Sequence, residues 1–256
     1  MRILCLLFLF FSIYQDSSAQ IRSYKGSFFS LSTSYLELKD DFNYGLVFRG
    51  PDIGIEFGHN NVNEKYYFEF SSRLEGGGKT TIGTWGFRWY ISPINARYLW
   101  KVTESDGFNL YVGPSTRVNY NIQTYPDLHA GPIIWMSNYD LGVSVNSFFS
   151  LGNKLLEVRL NTNLFGWHSR PSEDRDPYFY ESGFGDNFSQ LHEKLNPGGL
   201  SEFRQTEFET RLYFKGKKRS QSISYLFAIT GYYNRVEFRE LIHSLKFTWF
   251  IKSQDR

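Results

Sequence analysis

Five histidines and a few hydroxyl and carboxylate side chains are the residues of this sequence with the chemistry for catalysis. His168 and Ser169 have the side chains of a general base and a nucleophile, but chain neighbours rarely point at one another productively. Asp174, Asp176 and His192 have the side chains of an acid/base pair or a metal site, although we favour a solvated charged loop. We expect no cofactor and no metal, and the sequence favours a protein without enzymatic activity while leaving that question open.

The composition favours a β-rich chain and disfavours a nucleic-acid partner. The 28 basic and 26 acidic residues give a formal charge of +2 and are spread along the whole length, so no strongly basic field is present. Aromatic residues make up 19% of the chain, and Tyr and Phe prefer strands and the polar boundary of a bilayer. At 256 residues we expect a single domain.

The first nineteen residues have the pattern of a secretory signal peptide. A charged start precedes the apolar run 3–11, and the small residues 17–19 follow it. We expect cleavage after Ala19 and export of residues 20–256. No later stretch has the roughly eighteen apolar residues that a transmembrane helix needs. Cys5, the only cysteine, lies within the signal, so the exported chain is expected to lack disulfides and thiolate metal sites.

Beyond the signal, apolar and polar side chains alternate, which is the period of a strand with one apolar face. In the last such stretch, Leu245, Phe247 and Trp249 alternate with Lys246 and Thr248. Helical spacing is hard to find anywhere in the exported chain. The sequence therefore predicts an all-β protein.

Ten stretches have this alternation, and many exceed the five or six residues usual in soluble sheets. A tilted strand needs about nine to eleven residues to cross a bilayer, so the lengths predict an antiparallel transmembrane β-barrel of about ten strands. Pro93 cannot donate to a ladder, and twelve strands are the alternative if it divides the fourth stretch. The stretches are 26–38, 44–58, 65–75, 80–102, 107–122, 133–149, 153–165, 201–215, 219–233 and 239–252.

The signal peptide, the alternating stretches and the aromatic last strand 244–251 together resemble the small outer-membrane β-barrels of Gram-negative bacteria as a class. The resemblance covers nearly the whole exported chain and is architectural, since no motif picks out one functional family. It implies location in the bacterial outer membrane, contact with its lipid, and delivery by the barrel-assembly machinery. Such barrels have short periplasmic turns and long outer connections, and the long segment 166–200 falls on the outer side.

The more polar face of each predicted strand lines the barrel interior if the other face meets lipid. This face carries both charges in near balance, and an interior of about ten strands is narrow. Opposite charges then pair and fill the interior more readily than they hold it open, because isolated buried charges are costly. The predicted interior network consists of Arg49, Glu69, Arg73, Arg88, Arg117, Asp140, Glu157, Arg159, Glu207, Glu209 and Arg211.

Aromatic residues on the opposite face are predicted to form girdles near the two membrane interfaces. The run Gly76-Gly77-Gly78-Lys79 lacks the spacing of a phosphate-binding loop and is interpreted as a flexible turn. The predicted girdle residues are Phe57, Tyr66, Trp85, Trp89, Tyr90, Trp135, Tyr139, Tyr225, Tyr233 and Trp249.

The long outer connection mixes charged and aromatic residues, a combination that suits an interface with a protein or a surface glycan. Long ordered loops in compact proteins tend to bind other molecules. We hypothesise that 176–192 folds over the barrel mouth or docks to a partner in the envelope. The candidate partner-binding residues are Tyr178, Phe179, Tyr180, Phe184 and Phe188.

The leading functional hypothesis is a non-enzymatic outer-membrane barrel that serves as a structural or accessory subunit of an envelope assembly and binds a partner through its long outer loop. A narrow porin-like or substrate-specific channel is the first alternative. An outer-membrane lipid or peptide hydrolase that uses His168 with loop carboxylates is a further one. A secreted soluble β-sandwich retains the strands, but its strands are normally shorter than these.

Overall fold

The computed structural model describes residues 24–127, 133–152, 154–170, 191–192, 195–215, 220–233 and 237–252. The predicted signal peptide 1–19 lies outside the described residues, as do the five candidate partner-binding aromatics of the long connection. Within the described ranges, no helix has the length and hydropathy needed to cross a membrane.

Eleven strands and a single 3₁₀ turn (Asp41–Asn43) make up the regular structure of the described residues. Ten of these strands span 13 to 22 residues, long enough to cross a bilayer at a tilt. The strands are β1 (Tyr24–Asp40), β2 (Val47–Val62), β3 (Tyr66–Thr81), β4 (Thr84–Ser105), β5 (Phe108–Thr124), β6 (Ile133–Leu151), β7 (Lys154–Ser169), β8 (Asn196–Gly199), β9 (Phe203–Lys215), β10 (Ser220–Tyr232) and β11 (Phe238–Lys252).

The ten long strands close into an antiparallel barrel, which confirms the predicted fold class. Each strand pairs with its chain neighbour, β7 pairs with β9, and β1 pairs with β11 to close the wall. Four-residue β8 adds to β7 beyond the point where β9 ends. We call the end where β1 begins and β11 ends the terminus rim, and the opposite end the loop rim.

Pro93 lies inside β4 and does not divide it. The pairing of β4 with β5 shifts register between Ile91 and Ile94, so a β-bulge places the proline where no ladder hydrogen bond is required. Ser72 Oγ donates to the carbonyl oxygen of Pro93 at 2.6 Å and ties the bulge to β3. The barrel therefore has ten strands, and the twelve-strand alternative is wrong.

The run Gly76–Lys79 is part of β3, so its interpretation as a flexible turn is wrong. The turn to β4 is the pair Ile82–Gly83, and Gly83 has the positive φ of 81° that such a tight turn requires. At Gly77, a Cβ atom would lie only 2.0 Å from the carbonyl oxygen of Pro51 on β2. The glycines thus allow β2 and β3 to approach closely at the loop rim.

The barrel is polar inside and apolar outside, the reverse of a water-soluble protein. Outward-facing Ile53, Phe57, Trp100 and Leu245 each expose more than half of their side-chain surface. Inward-facing serines, asparagines and charged residues of the same strands are buried. A closed wall leaves no unpaired edge strand, and this polarity presents apolar side chains to lipid.

Two of the predicted girdle residues are not exposed on the outer face of the wall. Tyr90 alternates with outward Trp89 on β4 and faces the interior, where the Arg88 guanidinium stands 4.9 Å from its ring centre. Trp135 faces outward from β6 but is buried beneath Leu191 of the long connection. Both rings are therefore buried by the protein's own chain and are not in contact with lipid.

Replacing Gly77 by Ala is expected to destabilise the barrel by about 1–3 kcal/mol, because the added Cβ overlaps the backbone of β2. The measurement is the urea midpoint at which the folded, fast-migrating form disappears from unboiled gels. Gly78→Ala is the matched control, since nothing lies within 4 Å of its Cβ position. Equal midpoints for the two variants would contradict the close approach of β2 and β3.

Candidate functional site

Buried apolar clusters lie inside the barrel near both rims. At the terminus rim, Tyr67, Leu99, Tyr111 and Phe148 form a buried cluster with Val62. At the loop rim, a larger layer consists of Leu36, Leu38, Met136, Phe203, Ala228, Tyr232, Phe238 and Ile242. A second cluster beside this layer consists of Phe42, Phe48, Tyr125 and Ile134. Apolar clusters therefore lie at both ends of the polar interior.

Charged side chains fill the space between these layers, and Arg159 lies at the centre of one cluster. Its Nη2 lies 2.7 Å from Glu157 Oε1 and 3.1 Å from Glu69 Oε2, while its Nη1 lies 3.0 Å from Glu209 Oε2. Arg211 reaches Glu209 at 3.0 Å. Three carboxylates thus share two guanidinium groups, so that no member is left as an isolated buried charge.

A second cluster lies closer to the loop rim and is built on Asp52. The Asp52 carboxylate accepts from Lys79 Nζ and from Arg88 Nη1, the latter at 2.8 Å. Arg88 Nε lies 2.7 Å from Glu240 Oε1, so one arginine connects β2, β4 and β11. Lys79 also donates to the carbonyl oxygen of Pro51 at 2.9 Å.

Further ion pairs join strands that are not direct neighbours in the wall. Arg117 on β5 binds Glu207 on β9 through both Nη atoms, at 2.7 and 2.9 Å. Lys246 on β11 reaches Glu56 on β2 at 2.7 Å. The bidentate geometry of the Arg117–Glu207 pair makes it an effective cross-link of the barrel wall.

At the loop rim, Arg170 anchors the start of the long connection to the opposite wall. Its Nη2 donates to both carboxylate oxygens of Asp40, each at 2.8 Å. The guanidinium carbon stands 5.2 to 5.4 Å from the ring centres of Phe42, Tyr232 and Phe238. The side chain of Arg170 therefore reaches across the mouth of the barrel from the end of β7.

The predicted interior network is found inside the wall except at one position. Arg49 lies outside on β2, where its Nε donates to exposed Glu37 at 2.7 Å, so its interior assignment is corrected. The pairing of β1 with β2 is continuous there, and Arg49 thus shares the outward face of Phe57. The residues found inside are Glu69, Arg73, Arg88, Arg117, Asp140, Glu157, Arg159, Glu207, Glu209 and Arg211.

Several members of the interior were not predicted as part of this network. Asp52 and Glu240 are buried there, and each shares an inward face with a charged residue of the same strand. Strict alternation from Glu56 and from Lys246 would have found them. Lys79 and Arg170 lie in segments that were predicted to be connections between strands. The alternation of strand residues therefore could not assign them to the interior.

His168 and Ser169 do not form a catalytic pair. They are consecutive residues of β7 and project to opposite sides of the wall. His168 faces the interior, where its ring packs against Tyr232 and Phe203 at centroid distances of 5.0 and 5.9 Å. This histidine therefore belongs to the packing of the loop-rim layer.

His192 lies outside the barrel, against β5 and β6. Its Nε2 is 3.0 Å from the hydroxyl of Tyr120, which in turn is 3.2 Å from the hydroxyl of Tyr139. Asp174 and Asp176, its proposed acid/base or metal partners, lie outside the described residues. Within the described ranges, no group of three or more His, Cys, Asp or Glu side chains is arranged to hold a metal ion.

Two interior cavities lined by described residues have the size of single water molecules. One of about 20 Å³ lies among Glu56, Arg73, Tyr90, Arg117 and other charged residues of the network. Another of about 10 Å³ lies beside Asp140. Neither offers the several hundred Å³ typical of a small-molecule site.

Comparison with known proteins identifies the fold. No protein-family model and no curated protein sequence matches the chain. Among solved structures, the outer membrane protease OmpT from Escherichia coli matches with a TM-score of 0.51 and 6% identity, over 92% of this chain and 100% of that one. The chain has the fold of Gram-negative outer-membrane β-barrels. The β domain of the Bordetella autotransporter BrkA also matches at 0.51, with 10% identity over 90% and 100% of the two chains.

The predicted resemblance to outer-membrane barrels is thereby confirmed at the level of the class. The two structures differ in what their names describe, one a protease and the other the domain of an autotransporter. At identities of 10% or less, this likeness concerns the fold alone.

Replacing Arg159 by Met is expected to cost about 3–5 kcal/mol of barrel stability, because three buried carboxylates lose a shared cation. The measurement is again the urea midpoint of the fast-migrating folded form. Arg49→Met is the matched control and is expected to change the midpoint little, since its pair with Glu37 is exposed. A small effect at Arg159 would show that the network does not hold the wall together.

Proposed function

We propose that the protein is a non-conducting, non-enzymatic outer-membrane barrel that serves as an accessory subunit of an envelope assembly and binds a partner through its long outer connection. The observation that carries the proposal is the filled interior, which has buried apolar clusters near both rims and paired charges between them. A subunit of this kind uses its wall as a membrane anchor and its rim for recognition.

The interior supports this proposal over the channel alternative. A permeating ion would have to pass the aromatic layer at Tyr67 and Tyr111, and then break pairs such as Arg159 with Glu69. Conduction requires that a permeating ion binds weakly enough to leave again, whereas these charged side chains are already paired with one another. The pairs therefore act as structural cross-links in this proposal.

The course of the long connection also supports it. Arg170 fixes the segment at its start, and Leu191 and His192 lie against the outer wall at Trp135 and Tyr120. Both ends of the segment 171–190 are thus held at the loop rim. The sequence of that segment, with its charges and aromatics, suits an interface with a partner of the envelope.

In a planar bilayer, the purified protein is expected to show no steady ionic current, because the lumen is filled by paired charges and apolar layers. Single-channel recording after insertion is the measurement. The fast-migrating folded form in unboiled gels of the same preparation is the control for correct assembly. Reproducible unitary steps with ion selectivity would overturn this proposal in favour of the channel.

The double substitution of Phe184 and Phe188 by Ala is expected to abolish co-purification of the partner, since these aromatics are proposed to supply its contact area. The measurement is native electrophoresis of detergent-extracted outer membranes, with mass spectrometry of the bound chain. Ile82→Ser is the matched control, because Ile82 is a 98% exposed apolar residue of another loop-rim turn. Recovery of a monomer from the unsubstituted protein, or retention of the partner by the double variant, would refute partner binding through this segment.

A further inference from the structure

Basic side chains form a row on the outer wall near the loop rim. Arg204 on β9, Arg239 on β11 and Lys39 on β1 are each the second residue from the loop-rim end of their strand. Gly231 of β10 pairs directly with both arginines, and Arg239 pairs with Lys39, so that all three side chains project to the same face. Arg204 is exposed, and Arg239 and Lys39 expose 59% and 41% of their side chains. We call these three residues the basic row.

The ring of Tyr233 fills the gap between the two arginines. Gly231 has no side chain there, and a Cβ atom on it would lie 2.4 Å from the Tyr233 hydroxyl. The backbone nitrogen of Tyr233 donates to the carbonyl oxygen of Glu202 at 2.8 Å, which holds the tyrosine between the ends of β9 and β10. The Arg239 guanidinium carbon stands 5.7 Å from the ring centre. A hydroxyl donor therefore lies in the same row as the cations.

Arg204 has no counter-charge in contact. No acidic side chain of the described residues lies within 4.0 Å of its guanidinium group. The nearest acid along the chain, Glu202, is turned away, since its Oε2 accepts from the backbone nitrogen of Gly199 at 3.2 Å. The guanidinium group of Arg204 is thus available to a ligand.

The other two cations of the basic row have acidic partners at the surface. Arg239 lies 3.1 Å from Glu237, and Lys39 lies 3.5 Å from Asp41. All four side chains are more than a third exposed, and exposed ion pairs of this kind contribute little to stability. A stronger anion can therefore replace these carboxylates. Three cations and two acids leave the row and its neighbours with a net charge of +1.

The outer wall becomes apolar immediately beside the basic row. Phe208 on β9 and Ile229 on β10 lie on the same face, nearer the terminus rim, and are 41% and 38% exposed. The row therefore lies where the apolar band ends, which is the depth of the lipid headgroups. Across the barrel, the loop-rim end of β4 exposes Trp85 and Trp89 instead. The basic row is thus a feature of one side of the barrel.

We propose that the basic row binds the phosphate headgroup of a lipid in the membrane leaflet at the loop rim. The guanidinium groups of Arg204 and Arg239 and the hydroxyl of Tyr233 donate hydrogen bonds to the phosphate oxygens. A phosphate monoester carries a charge of about −1.5 to −2 at neutral pH, and it therefore binds Arg239 more strongly than the single carboxylate of Glu237 does.

A lipid suits this site better than a soluble phosphate. The apolar band begins directly beside the row, so that the acyl chains lie along Phe208 and Ile229 while the phosphate contacts the arginines. The site is separate from partner binding through the long connection and does not depend on it.

The test is the urea midpoint of the purified barrel in dodecyl maltoside micelles that contain increasing mole fractions of dioleoylphosphatidic acid. The midpoint of the unsubstituted protein is expected to rise linearly with the logarithm of this mole fraction once the site is occupied. Dioleoylphosphatidylcholine has the same acyl chains and a headgroup without net charge, and it is expected to produce no such rise.

The double variant Arg204→Gln, Arg239→Gln is expected to need about 25-fold more phosphatidic acid for the same rise, roughly fivefold for each arginine. The matched control is the double variant Lys25→Gln, Lys154→Gln, which removes two exposed cations at the terminus rim and is expected to behave as the unsubstituted protein. Tyr233→Phe keeps the ring over Gly231 and removes only the hydroxyl. It is expected to shift the dependence in the same direction as the arginine variant, and it keeps the proposal testable if that variant does not fold.

Three results would overturn the proposal. The first is a midpoint of the unsubstituted protein that ignores phosphatidic acid. The second is an equal loss of the dependence in the lysine control, which would indicate general attraction of anionic lipid to the whole barrel. The third is an equal rise with inorganic phosphate in micelles without the lipid, which would identify a free anion as the ligand.

Discussion

The pairing of buried charges is the constraint on which the rest of this barrel depends. Lipid outside the wall excludes charge, so the charged residues of the strands face a narrow interior. There, each charge is stable only with a counter-charge in contact, because an isolated ion in low dielectric is costly. The clusters around Arg159 and Asp52 meet this requirement by sharing cations among carboxylates from several strands.

Local backbone features determine whether those side chains meet. The bulge at Pro93 shifts the register of β4 so that Tyr90 and Arg97 both face the interior. The glycines of β3 bring β2 close enough for Lys79 to reach Asp52. The backbone irregularities and the ion pairs therefore depend on each other. A change at the bulge or at the glycines alters which charged side chains meet.

Because the interior is filled, the proposed function places partner binding at the rim and not in the lumen. The Arg170–Asp40 pair holds the start of the long connection at the loop rim beside the apolar layer, and this is the surface at which the proposed partner binds. The passage of Leu191 and His192 over the outer wall extends this surface towards the lipid boundary. In the proposed function, the barrel is a rigid support and the long connection supplies the contact with the partner.

The sequence alone determined the fold class, because alternation with period two over long stretches allows one apolar face for lipid and one polar face inside. It also placed most of the charged network inside. The prediction placed Arg49 inside and Tyr90 outside because it followed the polarity of each side chain, whereas the alternation along the strand determines which face a residue occupies. It also assigned part of β3 to a turn. Only the tertiary structure decided which charges meet, because Arg117 and Glu207 are 90 residues apart and their contact depends on how the strands are staggered when the barrel closes.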